Sequence, residues 1–172
     1  LKSWTNIKAL SVYETPGSPS SSWLCVGLRT DGTVVYTGSE TFDAKELNRW
    51  SDIQAIGCSQ DLIVGLKSDR TVVCIGNNKA LKDILKEWSD ICAIQVSDGQ
   101  VLGLQTNGNV LSSDSASAVS QWDGKNVVRL ADGPSGILAD GTILTNDTNI
   151  SGWNDVLDVT TNSWQSIGLK RD

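Results

Sequence analysis

The central pattern of this chain is Asp61-Leu62-Ile63-Val64-Gly65-Leu66-Lys67-Ser68-Asp69-Arg70-Thr71-Val72-Val73-Cys74-Ile75-Gly76. Two short apolar runs flank a polar segment in the middle of this stretch. Runs of this length, rich in Val and Ile and separated by turn-forming residues, are typical of antiparallel strands. The stretch therefore predicts a β-hairpin that ends at a glycine.

The same pattern occurs five times. Its other copies lie at residues 26–35, 102–111, 136–144 and 167–172. In every copy an Asp or Asn lies four residues after the glycine, namely Asp31, Asp69, Asn107, Asp140 and Asp172. Recurrence at a nearly regular spacing is the signature of a repeat architecture.

A tryptophan-led strand precedes each hairpin, and the five tryptophans are Trp4, Trp50, Trp88, Trp122 and Trp153. The apolar residues that follow them alternate, as in Ile53-Gln54-Ala55-Ile56, which favours a strand with one buried face. The tryptophans are interpreted as apolar wedges between neighbouring units, with a ligand platform as the alternative. The chain is thus predicted to be one domain, 1–172, with repeats near 4–49, 50–87, 88–121, 122–152 and 153–172.

Two local features lead to further expectations. The glycine before Leu stands in mid-strand, which predicts close approach of another backbone. Asp-Gly or Asn-Gly at the turn predicts a tight hairpin, because both residue types tolerate positive φ. Repeat two has Asp69-Arg70 there, so its turn is expected to be of another type or strained.

The connecting segments differ from one another. Residues 79–87 are compatible with a short helix that has Leu81, Ile84 and Leu85 on one face. The later connectors, 112–121 and 146–152, are rich in Ser, Asn and Asp and are expected to be irregular. Residues 12–22 form a Pro-, Gly- and Ser-rich insertion that cannot continue a strand; it is either a binding loop or neutral length variation.

Composition excludes several kinds of function. The chain has 172 residues, a net charge of −6 and no histidine. Scattered Lys and Arg on an acidic chain argue against a nucleic-acid partner. Without histidine, neither a Ser-His-Asp triad nor a His-metal site can form. We therefore expect no catalytic residues, no cofactor and no metal, with a carboxylate-based hydrolase as the alternative. No run reaches the roughly 18 apolar residues of a membrane span.

The four cysteines, Cys25, Cys58, Cys74 and Cys92, form no CxxC pair, and each lies in or beside an apolar run. They are interpreted as small buried core residues, with disulfides or a redox pair as the alternatives.

The Trp-led strand followed by Val-Gly-Leu-Lys-Ser-Asp and Thr-Val-Val, as in residues 50–78, resembles the repeats of the regulator of chromosome condensation family. The likeness is greatest to the short, Trp-led bacterial type of that repeat, and it covers nearly all of residues 4–172. It implies an all-β fold, a β-propeller of about five short antiparallel repeats, the last one incomplete. The expected arrangement is either a closed five-bladed ring or part of a larger propeller.

The bacterial members of that family look like extracellular or cell-surface interaction modules. The resemblance therefore implies a non-enzymatic module that binds a protein partner through loops on one face. The nucleotide-exchange role of the eukaryotic regulator is not implied, because the blades here are too short, histidine is absent and the surface is not basic. The alternatives are a structural repeat segment of a larger cell-surface protein, and a propeller that binds a glycan.

Three aromatic residues are the candidate partner-binding residues: Tyr13, Trp23 and Trp164. Trp23 and Trp164 each precede the repeat glycine by four residues and so occupy equivalent places in repeats one and five. Packing at the start of a strand is the alternative role. Asp172 is the turn residue of the fifth copy, so the last strand is expected from further sequence or from self-association through the incomplete repeat.

Overall fold

The structure, a computed structural model, describes residues 4–15, 22–38, 44–97, 99–115, 117–133, 135–161 and 165–171. Within these ranges fourteen strands form five small antiparallel sheets, so the predicted all-β class is confirmed. One sheet falls in each of the five sequence repeats. Wherever a sheet has three strands, the second in sequence is the central one.

The strands follow one another without crossover connections. Sheet one contains β1 (Ile7–Glu14), β2 (Trp23–Arg29) and β3 (Val34–Gly38), and sheet two contains β4 (Ile53–Ser59), β5 (Leu62–Lys67) and β6 (Val72–Gly76). Sheet three contains β7 (Ile91–Ser97), β8 (Gln100–Gln105) and β9 (Val110–Ser112), and sheet four contains β10 (Val127–Ala131), β11 (Ser135–Leu138) and β12 (Ile143–Leu144). Sheet five contains β13 (Val156–Thr161) and β14 (Ser166–Lys170).

Each first strand carries a β-bulge near its start, for example between Ile7 and Ala9 and between Ile53 and Ala55. The residue at the bulge is exposed in every sheet; these residues are Lys8, Gln54, Cys92, Val128 and Leu157. Beyond the bulge the side chains alternate between the two faces, as the sequence pattern predicted.

The mid-strand glycine makes room for a side chain, so the expectation of a neighbouring backbone was wrong. A Cβ built on Gly27, Gly65, Gly103, Gly136 or Gly168 would lie only 2.7 to 3.2 Å from a ring carbon of the tryptophan that opens the same repeat. The two most regular sequence signals, the mid-strand glycine and the opening tryptophan, therefore contact each other. The wedge interpretation is confirmed for Trp50, Trp88, Trp122 and Trp153, which belong to or pack on the clusters between sheets.

The hairpin turns are tight, as Asp-Gly predicted, but the Asp does not take a positive φ. In sheet one the Arg29 N–H donates to the Thr33 carbonyl and the Gly32 N–H donates to the Arg29 carbonyl, which closes a three-residue loop. Only its last residue has positive φ, Gly32 at 80°, as expected for a type I turn followed by a left-handed residue. Asp31 instead accepts hydrogen bonds from the N–H and hydroxyl of Thr33.

The turn of repeat two has the same hydrogen bonds, with Arg70 in the left-handed position at φ 66°. The turn type is thus unchanged and the strain falls on Arg70. Hydrogen bonds from Thr71 and from the Lys67 ammonium lower the pKa of the Asp69 carboxyl to about 2.

Backbone hydrogen bonds link each turn to the next sheet. The N–H groups of Ile53, Ile91, Val127 and Val156 donate to the carbonyls of Gly32, Arg70, Gly108 and Gly141, over 2.9 to 3.1 Å. The residue before each of these donors is an Asp or Asn with φ between 56° and 60°. Asp and Asn tolerate this conformation better than other non-glycine residues, which explains why one of them follows the opening tryptophan, after two residues in four repeats and after four residues in repeat four.

The core is divided among four hydrophobic clusters in the described ranges, each formed between consecutive sheets. The first strands pack in chain order, β1 on β4, β4 on β7, β7 on β10 and β10 on β13. Sheet five makes no extensive contact with sheet one within the same ranges, so a closed ring is not seen.

The connectors contain one α-helix and two 3₁₀ helices among the described residues. The expected helix is present as α1 (Lys79–Lys86); it buries Leu81 and Leu85, but Ile84 is 41% exposed and does not share their face. The 3₁₀ helices are Ala44–Arg49 and Ala118–Trp122. The second one corrects the expectation that residues 112–121 are irregular throughout, and it is capped by the Ser117 hydroxyl.

Candidate interaction surface

We use the term loop end for the end of the sheets where β1 runs into β2, β4 into β5, and β7 into β8. β1 continues to Glu14, so the expectation that residues 12–22 cannot continue a strand was wrong for residues 12–14. Hydrogen bonds hold the base of the remaining loop there: the Thr15 N–H donates to the Ser22 carbonyl, and the Ser22 N–H donates to the Thr15 hydroxyl. The loop residues 16–21 lie outside the described residues. The candidate Trp164 also lies outside them.

Tyr13 and Trp23 both lie at the loop end, but on opposite faces of sheet one. Tyr13 pairs with Leu24, whereas Trp23 pairs with Glu14. Tyr13 is half-buried and packs on the cluster between sheets one and two. Trp23 is 41% exposed and shares its face with Val12 and Cys25. The sequence analysis assigned Tyr13 and Trp23 to one site. They lie on opposite faces because successive side chains of a strand point to alternate faces of the sheet.

A cleft of about 380 Å³ opens at the loop end, across sheets one to three. Its walls are Tyr13, the hairpin of residues 59–62, the pair Asn77 and Asn78 before α1, and Gly99. The lining is mixed, with the phenol ring and Leu62 beside amide and carboxylate groups. Sequence reasoning missed these residues, because nothing in one short polar turn shows that it meets the turns of its neighbours.

A larger cleft of about 690 Å³ lies at the opposite end, between the turns of sheet one and the connector to sheet two. It is lined by Trp4, Trp50 and Tyr36 together with polar groups from Arg29, Asp31 and Asn48. Among the described residues the Arg29 Nε is buried without a hydrogen-bond acceptor. The hydrogen bond from Thr33 lowers the pKa of the Asp31 carboxyl, so this aspartate is ionised at neutral pH.

The titratable side chains of the described residues do not gather into a metal site. No three His, Cys, Asp or Glu side chains come together there as metal ligands.

Four cysteines are free thiols, of which Cys58 is buried and Cys92 is exposed, so the expectation of burial was wrong for Cys92. Burial raises the pKa of the Cys58 and Cys74 thiols, which lowers the fraction present as the reactive thiolate. No helix in the described ranges is long and apolar enough to cross a membrane.

No protein-family model matches the chain, and no curated protein matches it. Solved structures of similar fold include two receptor-kinase ectodomains. One is the entire ectodomain of the receptor kinase CR4 from Physcomitrella patens, with a TM-score of 0.61 and 14% identity over 92% of this chain. The other is the CRINKLY WD40 ectodomain of the receptor kinase ACR4 from Arabidopsis thaliana, with a TM-score of 0.54 and 15% identity over 96% of this chain. The match covers 53% of the first structure and 81% of the second, so the chain spans about half the length of the first. At this identity the likeness establishes the fold, an all-β array of small antiparallel sheets like that of a WD40-type ectodomain.

Proposed function

We propose that this chain is a non-enzymatic protein-interaction module, built from regulator-of-chromosome-condensation-type repeats, that binds a protein partner at its loop end. The observation that carries the proposal is Trp23, which is 41% exposed at the base of the inserted loop. Exposed tryptophan is enriched among the residues that dominate binding energy at protein interfaces. The base of the loop is held by hydrogen bonds between Thr15 and Ser22, which reduces the entropy lost on binding.

The loop-end cleft adds a second contact region. Its polar walls around the Tyr13 ring match the usual composition of an interface, an apolar centre with a polar rim. A partner that covers the loop end would contact Trp23 on one side of sheet one and the cleft on the other.

The two ectodomain neighbours support a place at the cell surface or outside the cell, and they support a propeller-like arrangement of the sheets. A net charge of −6 with scattered basic residues supports a partner other than nucleic acid.

The experiment begins with a photo-crosslinking amino acid at position 23, and at position 128 as the control. Val128 is 56% exposed on β10, away from the loop end, so it tests for non-specific capture. A protein captured from position 23 alone is then purified, and its affinity is measured for the wild type, Trp23→Ser, Tyr13→Ser and Val128→Ser. We expect Trp23→Ser to weaken binding about 30-fold or more, as loss of a hot-spot residue does, while Val128→Ser binds normally. Equal binding by all variants would overturn the assignment of the loop end and favour a structural repeat segment.

Glycan binding is the second candidate, and the larger cleft is what favours it. Aromatic rings from Trp4, Trp50 and Tyr36 stand beside amide and charged groups, and sugars are bound by this combination of stacking and polar contacts. A glycan array probed with the wild type and with Asn48→Ala tests it. Signal that disappears in Asn48→Ala would support this candidate, and an array without signal would reject it.

A further inference from the structure

Trp23, the exposed aromatic residue of the proposed interface, lies beside a carboxylate. It pairs directly with Glu14 across β1 and β2, and the Glu14 side chain is exposed as well. Side chains of directly paired residues point to the same face of a sheet, with Cβ atoms about 4.5 to 5.5 Å apart. The cation of a Lys or Arg side chain can lie over an indole ring and bond a carboxylate at the same time. Trp23 and Glu14 together therefore offer a place for a basic side chain.

The loop-end cleft holds the same combination on the other face of sheet one. Tyr13 and Asp61 both line it, the first with a phenol ring and the second with a carboxylate. Asp61 is exposed in the hairpin between β4 and β5, whereas Tyr13 is half-buried. Each of the two contact regions of the loop end thus presents an aromatic ring and a negative charge.

The connections that join a first strand to a second strand carry no positive charge in any of the five sheets. They span residues 14–23, 59–62, 97–100, 131–135 and 161–166, and none of these segments contains Lys or Arg. Among the described residues their acidic members are Glu14, Asp61 and Asp132. These connections therefore contribute one sign of charge to the end of the sheets where they lie.

Basic residues of the strands and hairpin turns lie toward the opposite end. Those in the last positions of the second strands and in the described turns are Arg29, Lys67, Arg70, Lys170 and Arg171. Lys8 and Arg129 lie near the start of their first strands, which is the same end. Lys79 begins α1 at the loop end, but it forms an ion pair with Asp83. A molecule that approaches the loop end thus meets a negative potential.

We propose that the loop end recognises a basic segment of its protein partner, with one Lys or Arg side chain on Trp23 and Glu14 and a second one in the cleft at Tyr13 and Asp61. The inference rests on the proposed function, since it uses the same surface and names the chemistry of the partner. Charge complementarity across an interface accelerates association and disfavours partners of the wrong sign. Acidic proteins are thereby excluded.

The probe is a displayed library of random peptides of about 12 residues, selected on the full 172-residue chain. Recovered peptides are synthesised, and their affinities are measured for the wild type and for Trp23→Ser. We expect the peptides that need Trp23 to be rich in Lys and Arg. Exchange of a single Lys or Arg of such a peptide for Gln should weaken binding about 10-fold or more, since a charge-assisted hydrogen bond is lost. This exchange leaves the protein itself unchanged.

Two matched double variants test the protein side. Glu14→Gln with Asp61→Asn should weaken binding of these peptides about 10-fold or more, whereas Glu87→Gln with Asp123→Asn should bind them like the wild type. Both pairs remove one Glu and one Asp charge from exposed positions, and the second pair lies toward the opposite end of the sheets. Affinity for the wild type should also fall as NaCl is added, because salt screens exposed charges.

The outcomes separate this inference from the proposed function. Peptides that need Trp23 but carry no excess of Lys and Arg would overturn the inference and leave the proposed function in place. Equal losses in the two double variants would also overturn it, since the attraction would then come from net charge alone. A selection in which no peptide depends on Trp23 would overturn the proposed function and this inference with it.

Discussion

At the scale of single residues, the repeat depends on a tryptophan ring that lies against the glycine of its own sheet. The tightest contacts leave 2.7 Å between a built Cβ and the ring, at Gly103 and Gly168, and the loosest leaves 3.2 Å, at Gly136. The glycine is therefore required for space, and its φ lies outside the left-handed region at all five positions.

We predict that Gly103→Ala destabilises the protein by about 1 to 3 kcal/mol, because the added methyl group overpacks a site where Trp88 is only 7% exposed. Gly136→Ala is the matched control, since its Cβ would meet Trp122 and Val127 at 3.2 Å, and it should cost less. Urea denaturation of both variants at one pH measures the difference. Equal losses would show that the distance to the ring does not control the cost.

Arg70 is the residue with evident backbone strain in a hairpin turn. The three equivalent positions are Gly32, Gly108 and Gly141, with φ between 80° and 87°. We predict that Arg70→Gly stabilises the protein by about 1 kcal/mol, because an L side chain in the left-handed region costs roughly that much. Arg70→Ala keeps a Cβ and should bring no comparable gain. Loss of the arginine head group would affect both variants alike, whereas relief of backbone strain would raise the stability of Arg70→Gly alone. Thermal unfolding of the two variants distinguishes these causes.

At the scale of elements, each connector covers the edge of an interface between sheets, and α1 is the clearest case. The Asn78 side chain caps it by accepting from the Leu81 N–H at 3.1 Å. Leu85 is 1% exposed in the cluster between sheets two and three, whereas Ile84 points away.

Two substitutions on this helix should separate packing from helix propensity. We predict that Leu85→Ala costs about 2 to 5 kcal/mol through the cavity it leaves, and that Ile84→Ala costs less than about 1 kcal/mol. Chemical denaturation provides both values. A similar cost for Ile84→Ala would mean that its exposed side of the helix is covered in solution.

The elements also mark the limit of what the sequence could predict. Hairpins, the tryptophan wedges and α1 followed from local patterns, because alternation and turn residues act over a few positions. The contact between the mid-strand glycine and the tryptophan did not follow from a local pattern. Trp50 lies 15 residues before Gly65 and contacts it only after the sheet folds back. The separation of Tyr13 from Trp23 depends on the register between β1 and β2. The sequence of the loop that joins the two strands does not determine this register. The two clefts each combine residues from different repeats, and no local signal reports that.

At the scale of the whole molecule, the chain is a linear series of sheets in which each cluster joins only two neighbours. In such an array stability is close to a sum of intrinsic and nearest-neighbour terms. Among the described residues, sheets two, three and four have clusters on both faces, whereas sheet one has one cluster, and sheet five has one cluster and two strands.

We therefore predict a gradient of hydrogen-exchange protection along the chain. Amides of β5 and β8 should exchange most slowly, through opening that approaches global unfolding, and those of β14 should exchange fastest, because Ile167 and Leu169 on this strand are 63% and 61% exposed. Exchange followed by mass spectrometry measures the gradient. Uniform protection along the chain would contradict the nearest-neighbour picture.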